Sequence, residues 1–354
     1  MNKKRVAIIG FGRSGGDIHG AFFGGDTNEL YDVVAVVDEL DFRRERAKEK
    51  FGCDVYADYR ELFHRTDIDL VVNASYSYQH YPITLDLLEH GFNVVTEKPF
   101  AMHAEECDRM IQAAKDNHVM VCPFQQSHFA PYYRKVREIM DSGILGRIVQ
   151  IKINFSGFSR RWDWQTSLRF GGGCLRNTGP HPMEQALDIL GEDADPTVYS
   201  FFDMVNSYGD AEDFAKLLLH QPGKPLIEVE ISPANKFSNY IYQVQGSQGT
   251  LQATMNEVQY KYFLPEEAPK QKLILESLRT ESGAPTYCSE TLTWHEETVP
   301  LTGSAFDAAV KAYYENIYEH LENGAPLVIR PERIRKLVAI MEEAHRQNPL
   351  VEKY

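Results

Sequence analysis

The chain is short of cysteine: five in 354 residues (Cys53, Cys107, Cys122, Cys174, Cys288), an odd number with no Cys-x-x-Cys pair. That excludes a disulfide framework and a cysteine zinc site, no metal is expected, and a reducing, cytoplasmic setting follows. Long apolar runs are missing too; none approaches the ~20 residues that span a bilayer. The basic start, Met1 to Arg5, is followed by only four apolar residues, Val6 to Ile9, too few for a signal-peptide core. Positive charge is in deficit: 37 lysines and arginines against 51 aspartates and glutamates leave a net charge of −14. So acidic a surface repels phosphate backbones and anionic membranes, so neither nucleic acid nor a membrane is the expected partner. What remains, 43% apolar and 25% charged residues without internal repeats, is the balance of a globular chain, and its length suggests two domains.

From Lys4 to about Phe124, short β-branched runs alternate with amphipathic stretches. The runs are Arg5–Ile9, Asp32–Val37, Leu70–Ala74, Asn93–Thr96 and Val119–Pro123; the helical patterns between them include Asp41–Lys50, Tyr81–His90 and Ala104–Asn117. Apolar strands separated by helices predict an α/β, doubly wound parallel sheet. The first run leads into Gly10-Phe11-Gly12-Arg13-Ser14-Gly15, a GxGxxG between a strand and a helix, and the second ends in Asp38. That context is the dinucleotide-binding fingerprint: Gly10 for the tight turn, Gly12 for close approach of a pyrophosphate, Gly15 for helix packing, and Asp38 for the ribose hydroxyls. A carboxylate at Asp38 repels a 2′-phosphate, so NAD is expected over NADP, although Arg43 and Arg44 lie nearby and an arginine accommodates that phosphate.

Two further motifs follow. A strand ends in Glu97-Lys98-Pro99, which aims a lysine into the crevice at the carboxyl edge of a parallel sheet. Downstream lies Gly171-Gly172-Gly173-Cys174-Leu175-Arg176-Asn177-Thr178-Gly179-Pro180-His181-Pro182-Met183-Glu184. With these three motifs in this order, the chain resembles the glucose–fructose oxidoreductase / inositol dehydrogenase / MocA (Gfo/Idh/MocA) family over nearly its whole length. The resemblance implies a Rossmann domain (1–124), a substrate and oligomerisation α/β domain built on a large open, mostly antiparallel sheet (125–330), and a C-terminal helix (331–354) returning to the first domain. It implies a homodimer or homotetramer, and a sugar or polyol substrate held between sheet and nicotinamide.

Residue by residue, the resemblance makes Lys98 the substrate- and cofactor-contacting lysine and His181 the general base. The family's aspartate falls on Asn177, and its last acid on Glu184. Ser75, His80, Glu97 and Gln126 join the glycine loop, Asp38 and Lys98 as cofactor contacts. There are departures. Asn177 forms hydrogen bonds but supplies no charge, so the His181 pKa is expected near the unperturbed ~6.5. The usual Thr-Pro before His80 is replaced by Ser75-Tyr76-Ser77-Tyr78, and Gln126 stands for an asparagine. Cys174 reads as a small packing residue rather than a nucleophile.

The segment Phe158-Ser159-Arg160-Arg161-Trp162-Asp163-Trp164-Gln165 holds two of the three tryptophans. Tryptophan faces cover the C–H surface of a sugar and arginines fork onto its oxygens, so Arg160, Arg161, Trp162 and Trp164 join Lys98, Asn177 and His181 as candidate substrate contacts. After Leu190, alternating runs (Phe214–Leu219, Leu226–Ile231, Tyr240–Gln245, Thr250–Thr254) predict a meandering antiparallel sheet. Lys261 to Tyr287 reads as a polar surface excursion, and helices are predicted over Phe306–Asn323 and from Pro331 to about Arg346. The expected activity is NAD(P)-dependent hydride transfer at a secondary alcohol of a sugar, cyclitol or sugar derivative. The alternatives are a tightly bound NAD serving transient oxidation in glycoside cleavage or epimerisation, and a non-enzymatic dinucleotide sensor.

Overall fold

A computed structural model describes residues 2–237 and 239–354. The first body alternates strands and helices: β1 (Lys4–Ile9), α1 (Gly20–Phe23), β2 (Tyr31–Val37), α2 (Asp41–Phe51), β3 (Asp54–Tyr56), β4 (Leu70–Asn73), α3 (His80–Glu89), β5 (Val94–Thr96), α4 (Ala104–Asp116) and β6 (Val121–Pro123). These strands pair in parallel in the order β3-β2-β1-β4-β5-β6. Strands β4, β5 and β6 are buried at every position, as a sheet covered on both faces requires. The order reverses between β1 and β4, and ligands of such sheets bind in the crevice that this reversal opens at the carboxyl ends.

Helix α5 (Pro131–Asp141) leads into the second body. Its elements are β7 (Ile148–Ser156), α6 (Cys174–Asn177), α7 (Pro180–Leu190), β8 (Thr197–Asp203), β9 (Phe214–His220), β10 (Leu226–Ser232), β11 (Tyr242–Gly246), β12 (Gly249–Ala253), β13 (Glu257–Tyr262) and β14 (His295–Pro300). They form one sheet in the order β14-β13-β12-β11-β7-β10-β9-β8. Alternate residues such as Ile151, Ile153, Leu217, Val229, Tyr242 and Val244 are buried on one face, and α5 and α7 cover it. The sheet is mostly antiparallel, as expected, with one parallel pair, β7 and β10, that breaks the meander. The chain leaves β7 through α6 and α7 and returns from the far edge, so β10 arrives beside β7 in the same direction. The excursion is longer than expected, running without helix or strand from residue 263 to 294.

The chain returns to the first sheet earlier than residue 331. Helix α8 (Ala305–Asn323) starts on a Ser304 cap and ends at Gly324 in the left-handed conformation. It inserts Tyr313 and Tyr314, both buried, among Phe23, Tyr31 and Phe124 of the first body. Tyr31 donates its hydroxyl proton to the Tyr314 carbonyl at 2.7 Å. Helix α9 (Pro331–Gln347) then packs on α4 and β6 of the first body and on α7 and β8 of the second, tying the two together.

Candidate active site

The three motifs converge on one crevice of about 880 Å3 at the reversal point between β1 and β4. Gly10, Gly12, Arg13, Ser14 and Asp38 line its nucleotide side; Ser75, Glu97, Lys98, Gln126, Trp164, Asn177 and His181 line the other. Gly10 has φ +81°, and a Cβ there would lie 2.5 Å from the Ala74 carbonyl oxygen. A Cβ on Gly15 would lie 1.7 Å from the Gly10 carbonyl, so the glycine pair lets the loop fold onto β4. Gly12 meets only the movable Arg43 guanidinium at 3.4 Å, which leaves its backbone accessible to a phosphate. Phe11 and Gly15 do not line the crevice: Phe11 is a buried core ring over which the Arg46 guanidinium sits.

Asp38 is nearly buried, and its carboxylate accepts from the Phe11 amide at 2.7 Å and the Leu40 amide at 2.9 Å. Arg43 lies 3.4 Å from the same Oδ2, so the ribose end of the crevice holds an acid and a cation together. Residues of this kind fit a dinucleotide: a helix-opening glycine loop for the pyrophosphate, and a fixed carboxylate beside it.

At the other end, Lys98 donates to the Asn177 backbone carbonyl at 2.9 Å and to its side-chain Oδ1 at 3.2 Å. Gln165 donates to the same Oδ1 at 3.1 Å. Asn177 is therefore the clamp on the lysine. Burial pushes Lys98 below the usual lysine range; Glu97 opposes that, while Arg13 and Arg161 add to it. Glu97 is itself buried against His19 at 3.2 Å. Burial opposes its ionisation, but the His19 hydrogen bond and the neighbouring charges outweigh this and hold its carboxyl down at about 2.

His181, in the first turn of α7, has Nδ1 3.0 Å from the Ser127 hydroxyl. Its expected pKa near 6.5 is corrected: burial, and after it the Lys98 charge, pushes it down to about 3. The ring is thus neutral at physiological pH, for a reason unrelated to the missing aspartate.

Several expected contacts lie elsewhere. His80 is buried with Nδ1 2.7 Å from the Pro99 carbonyl and Nε2 3.1 Å from the Ser75 carbonyl, so it braces the two loops and does not line the crevice. Trp162 is 76% exposed with its ring edge-on to Tyr208, and Arg160 bonds the Tyr208 hydroxyl; neither lines the crevice. Arg161 is held bidentately by Asp163 at 2.9 and 2.7 Å and lines an adjoining cavity of about 210 Å3 with Gln165, Asn177 and Glu212. Glu184 is fully buried against His128 (3.1 Å) and Arg333 of α9 (2.9 Å), a structural ion pair. Burial raises the Cys174 thiol well above its usual range, in keeping with a packing role. Ser127 and Gln165 were not in the expected set, and Arg43 entered it only as a residue able to accommodate a 2′-phosphate. The first adjoins Gln126 in the chain and the second adjoins Trp164, so both sat beside residues already singled out.

No helix among the described residues is long and apolar enough to cross a membrane. Residues 4–125 match the model of the oxidoreductase family with an NAD-binding Rossmann fold, and residues 133–252 match the GFO/IDH/MocA C-terminal domain. The curated scyllo-inositol 2-dehydrogenase (NADP(+)) IolW of Bacillus subtilis is 23% identical over 96% of this chain and 92% of its own. The 2,7-anhydro-N-acetylneuraminate hydratase of Mediterraneibacter gnavus is 22% identical over 72% of this chain and 68% of its own. The solved structure of GenD2 from gentamicin A biosynthesis, in complex with NAD, superposes with a TM-score of 0.78 at 20% identity, covering 100% of this chain and 97% of that one. With both modules matched and the glycine loop, Glu-Lys-Pro lysine and histidine helix on a single crevice, the chain belongs to the Gfo/Idh/MocA family of NAD-binding oxidoreductases.

Proposed function

We propose that this protein oxidises a secondary alcohol of a sugar, cyclitol or sugar derivative with NAD, and catalyses the reverse reduction, using Lys98 and His181. The observation that carries the reading is the convergence of Lys98, Asn177 and His181 on the crevice that also holds the glycine loop and Asp38. NAD, when bound by Gly10–Ser14 and Asp38, supplies the hydride acceptor. The residues of the chain do the rest. Lys98, held by Asn177, places a cation on the reacting oxygen and stabilises its developing negative charge. His181, neutral because of burial and Lys98, takes the hydroxyl proton as the alcohol becomes a ketone. Trp164 and Gln165 would orient the ring, and Gln126, which lines the same crevice, would hold the amide of the cofactor. Asp38 favours NAD over NADP. The acidic surface and few cysteines support a cytoplasmic enzyme, and the open face of the second sheet supports a homo-oligomer.

A sugar and cyclitol panel assayed for NAD reduction at 340 nm tests the reading; NADH formed with at least one member is the expected result, and none across the panel counts against it. The hydratase among the relatives favours one second reading, transient oxidation with retained NAD. Product formed by the bound-NAD protein without NADH release selects that reading. A dinucleotide sensor without catalysis is disfavoured by the intact Lys98 and His181.

A further inference from the structure

We propose that Ser127 is the positioning residue of the base: its hydroxyl accepts the Nδ1–H of His181 and so leaves the Nε2 lone pair facing the crevice. The inference rests on the reading of His181 as the base. Ser127 Oγ lies 3.0 Å from Nδ1, and among the described residues neither that hydroxyl nor the Nε2 of His181 has another hydrogen-bond partner. A neutral imidazole has one N–H, so the role of the serine decides which nitrogen is basic. If Ser127 donates, Nδ1 is the acceptor and Nε2 carries the proton, which disables it as a base. If Ser127 accepts, Nε2 is free.

The reading of His181 as the base requires the second arrangement. Ser127 occupies Nδ1 and His181 lines the crevice, so Nε2 is the nitrogen left for the substrate, and it takes a proton only if it carries none.

The fold also holds Ser127 where this role requires it. Ser127 is 8% exposed, in the helical turn Gln126–Phe129. Its carbonyl accepts from Gln185 Nε2 at 2.8 Å, and Gln185 Oε1 in turn accepts from the Tyr242 hydroxyl at 2.6 Å, with Gln185 and Tyr242 wholly buried. Gln185 and His181 are four residues apart on α7 and so share one face. One helix therefore grips Ser127 twice, by its carbonyl through Gln185 and by its hydroxyl through His181. A movement of α7 carries base and orienting group together, and the hydrogen bond is kept.

The test is the 15N NMR spectrum of histidine-labelled protein at pH 7, with the His181 signals assigned by their loss in His181→Asn. The expected wild-type signature is a protonated Nδ1 and a pyridine-type Nε2. In Ser127→Ala that tautomer gives way to a mixture; in Ser127→Thr, which keeps the hydroxyl, it persists. On the substrate found by the panel, Ser127→Ala lowers kcat about tenfold with KM within about twofold, and Ser127→Thr recovers most of the loss. A wild-type Nε2–H tautomer overturns the proposal, and so does a tautomer and kcat unchanged in Ser127→Ala. The spectrum needs no substrate, so a panel that yields no NADH overturns the proposed reaction and leaves the tautomer result to be judged separately.

Discussion

Replacing Asn177 by aspartate places a carboxylate oxygen against the Lys98 ammonium, where the amide oxygen now stands at 3.2 Å. At that separation two unit charges attract by about 1 kcal/mol at the dielectric of water and by about 5 kcal/mol at the effective value of 20 typical of protein sites. Lys98 is partly buried, so the attraction exceeds the hydrated limit, and about 1.4 kcal/mol is one pH unit. The Lys98 titration midpoint in Asn177→Asp is therefore expected to rise by about one pH unit or more. The sign is fixed: Lys98 acts as ammonium, which is lost as pH rises through its pKa, and burial brings that loss to lower pH in the wild type. The alkaline limb of the rate profile thus moves upward in the variant. The added carboxylate also offsets the Lys98 charge that disfavours the His181 imidazolium, so the acidic limb is expected to rise as well. Lysine labelled with 13C at Cε gives the midpoint directly, and a pH–rate profile gives the limbs. An unchanged midpoint refutes the reading of Asn177 as the neutral clamp on Lys98.

Lys98→Met keeps the stem and removes the cation; turnover is expected to fall ~10²-fold or more while NAD affinity, measured by fluorescence titration, is retained. Asp38→Ala removes the carboxylate proposed to accept the ribose hydroxyls and takes from Arg43 its Asp38 partner, so the ratio of NADP to NAD dissociation constants should fall towards one by calorimetry; an unchanged ratio assigns selectivity elsewhere. Arg333→Met leaves Glu184 buried with His128 alone, and is expected to cost about 3 kcal/mol of stability in urea unfolding, as for breaking a buried pair.

The first sheet and the crevice were legible because their signals are local. A GxGxxG after a β-branched run, an acid closing the next run and a lysine closing a later one each sit at the carboxyl end of a strand. The sheet brings those ends together without further instruction. The second body was read less completely. Strand β8 escaped notice because Tyr199 and Phe201 point outward at 54% and 59% exposure, opposite the buried Val198 and Ser200, which hides a period of two. Only one tryptophan of the pair lines the crevice, for a local reason: Asp163 accepts from the Gln165 amide at 3.1 Å and starts a turn there, with Trp164 in the crevice and Trp162 exposed. Ser127 and Gln165 were out of reach because their partners are 54 and 12 residues away, and hydroxyl or amide chemistry alone does not name a distant partner. The His181 pKa was misjudged because an argument from one neighbour omitted desolvation, its largest cause.

The aromatic plug that α8 drives into the first sheet has a consequence for how the protein is made. Tyr31, Phe23, Phe124 and His19 leave the ribosome well before Tyr314, the ring that fills the space between them. Until it arrives, the nascent nucleotide half carries an uncovered aromatic hollow and a His19 lacking its 2.6 Å partner. Exposed apolar surface of that kind is what chaperones bind and what drives aggregation. The nucleotide-binding body is thus finished by a helix synthesised after the whole of the second sheet, and residues 1–124 expressed as a fragment should be recovered largely insoluble unless α8 is supplied in trans.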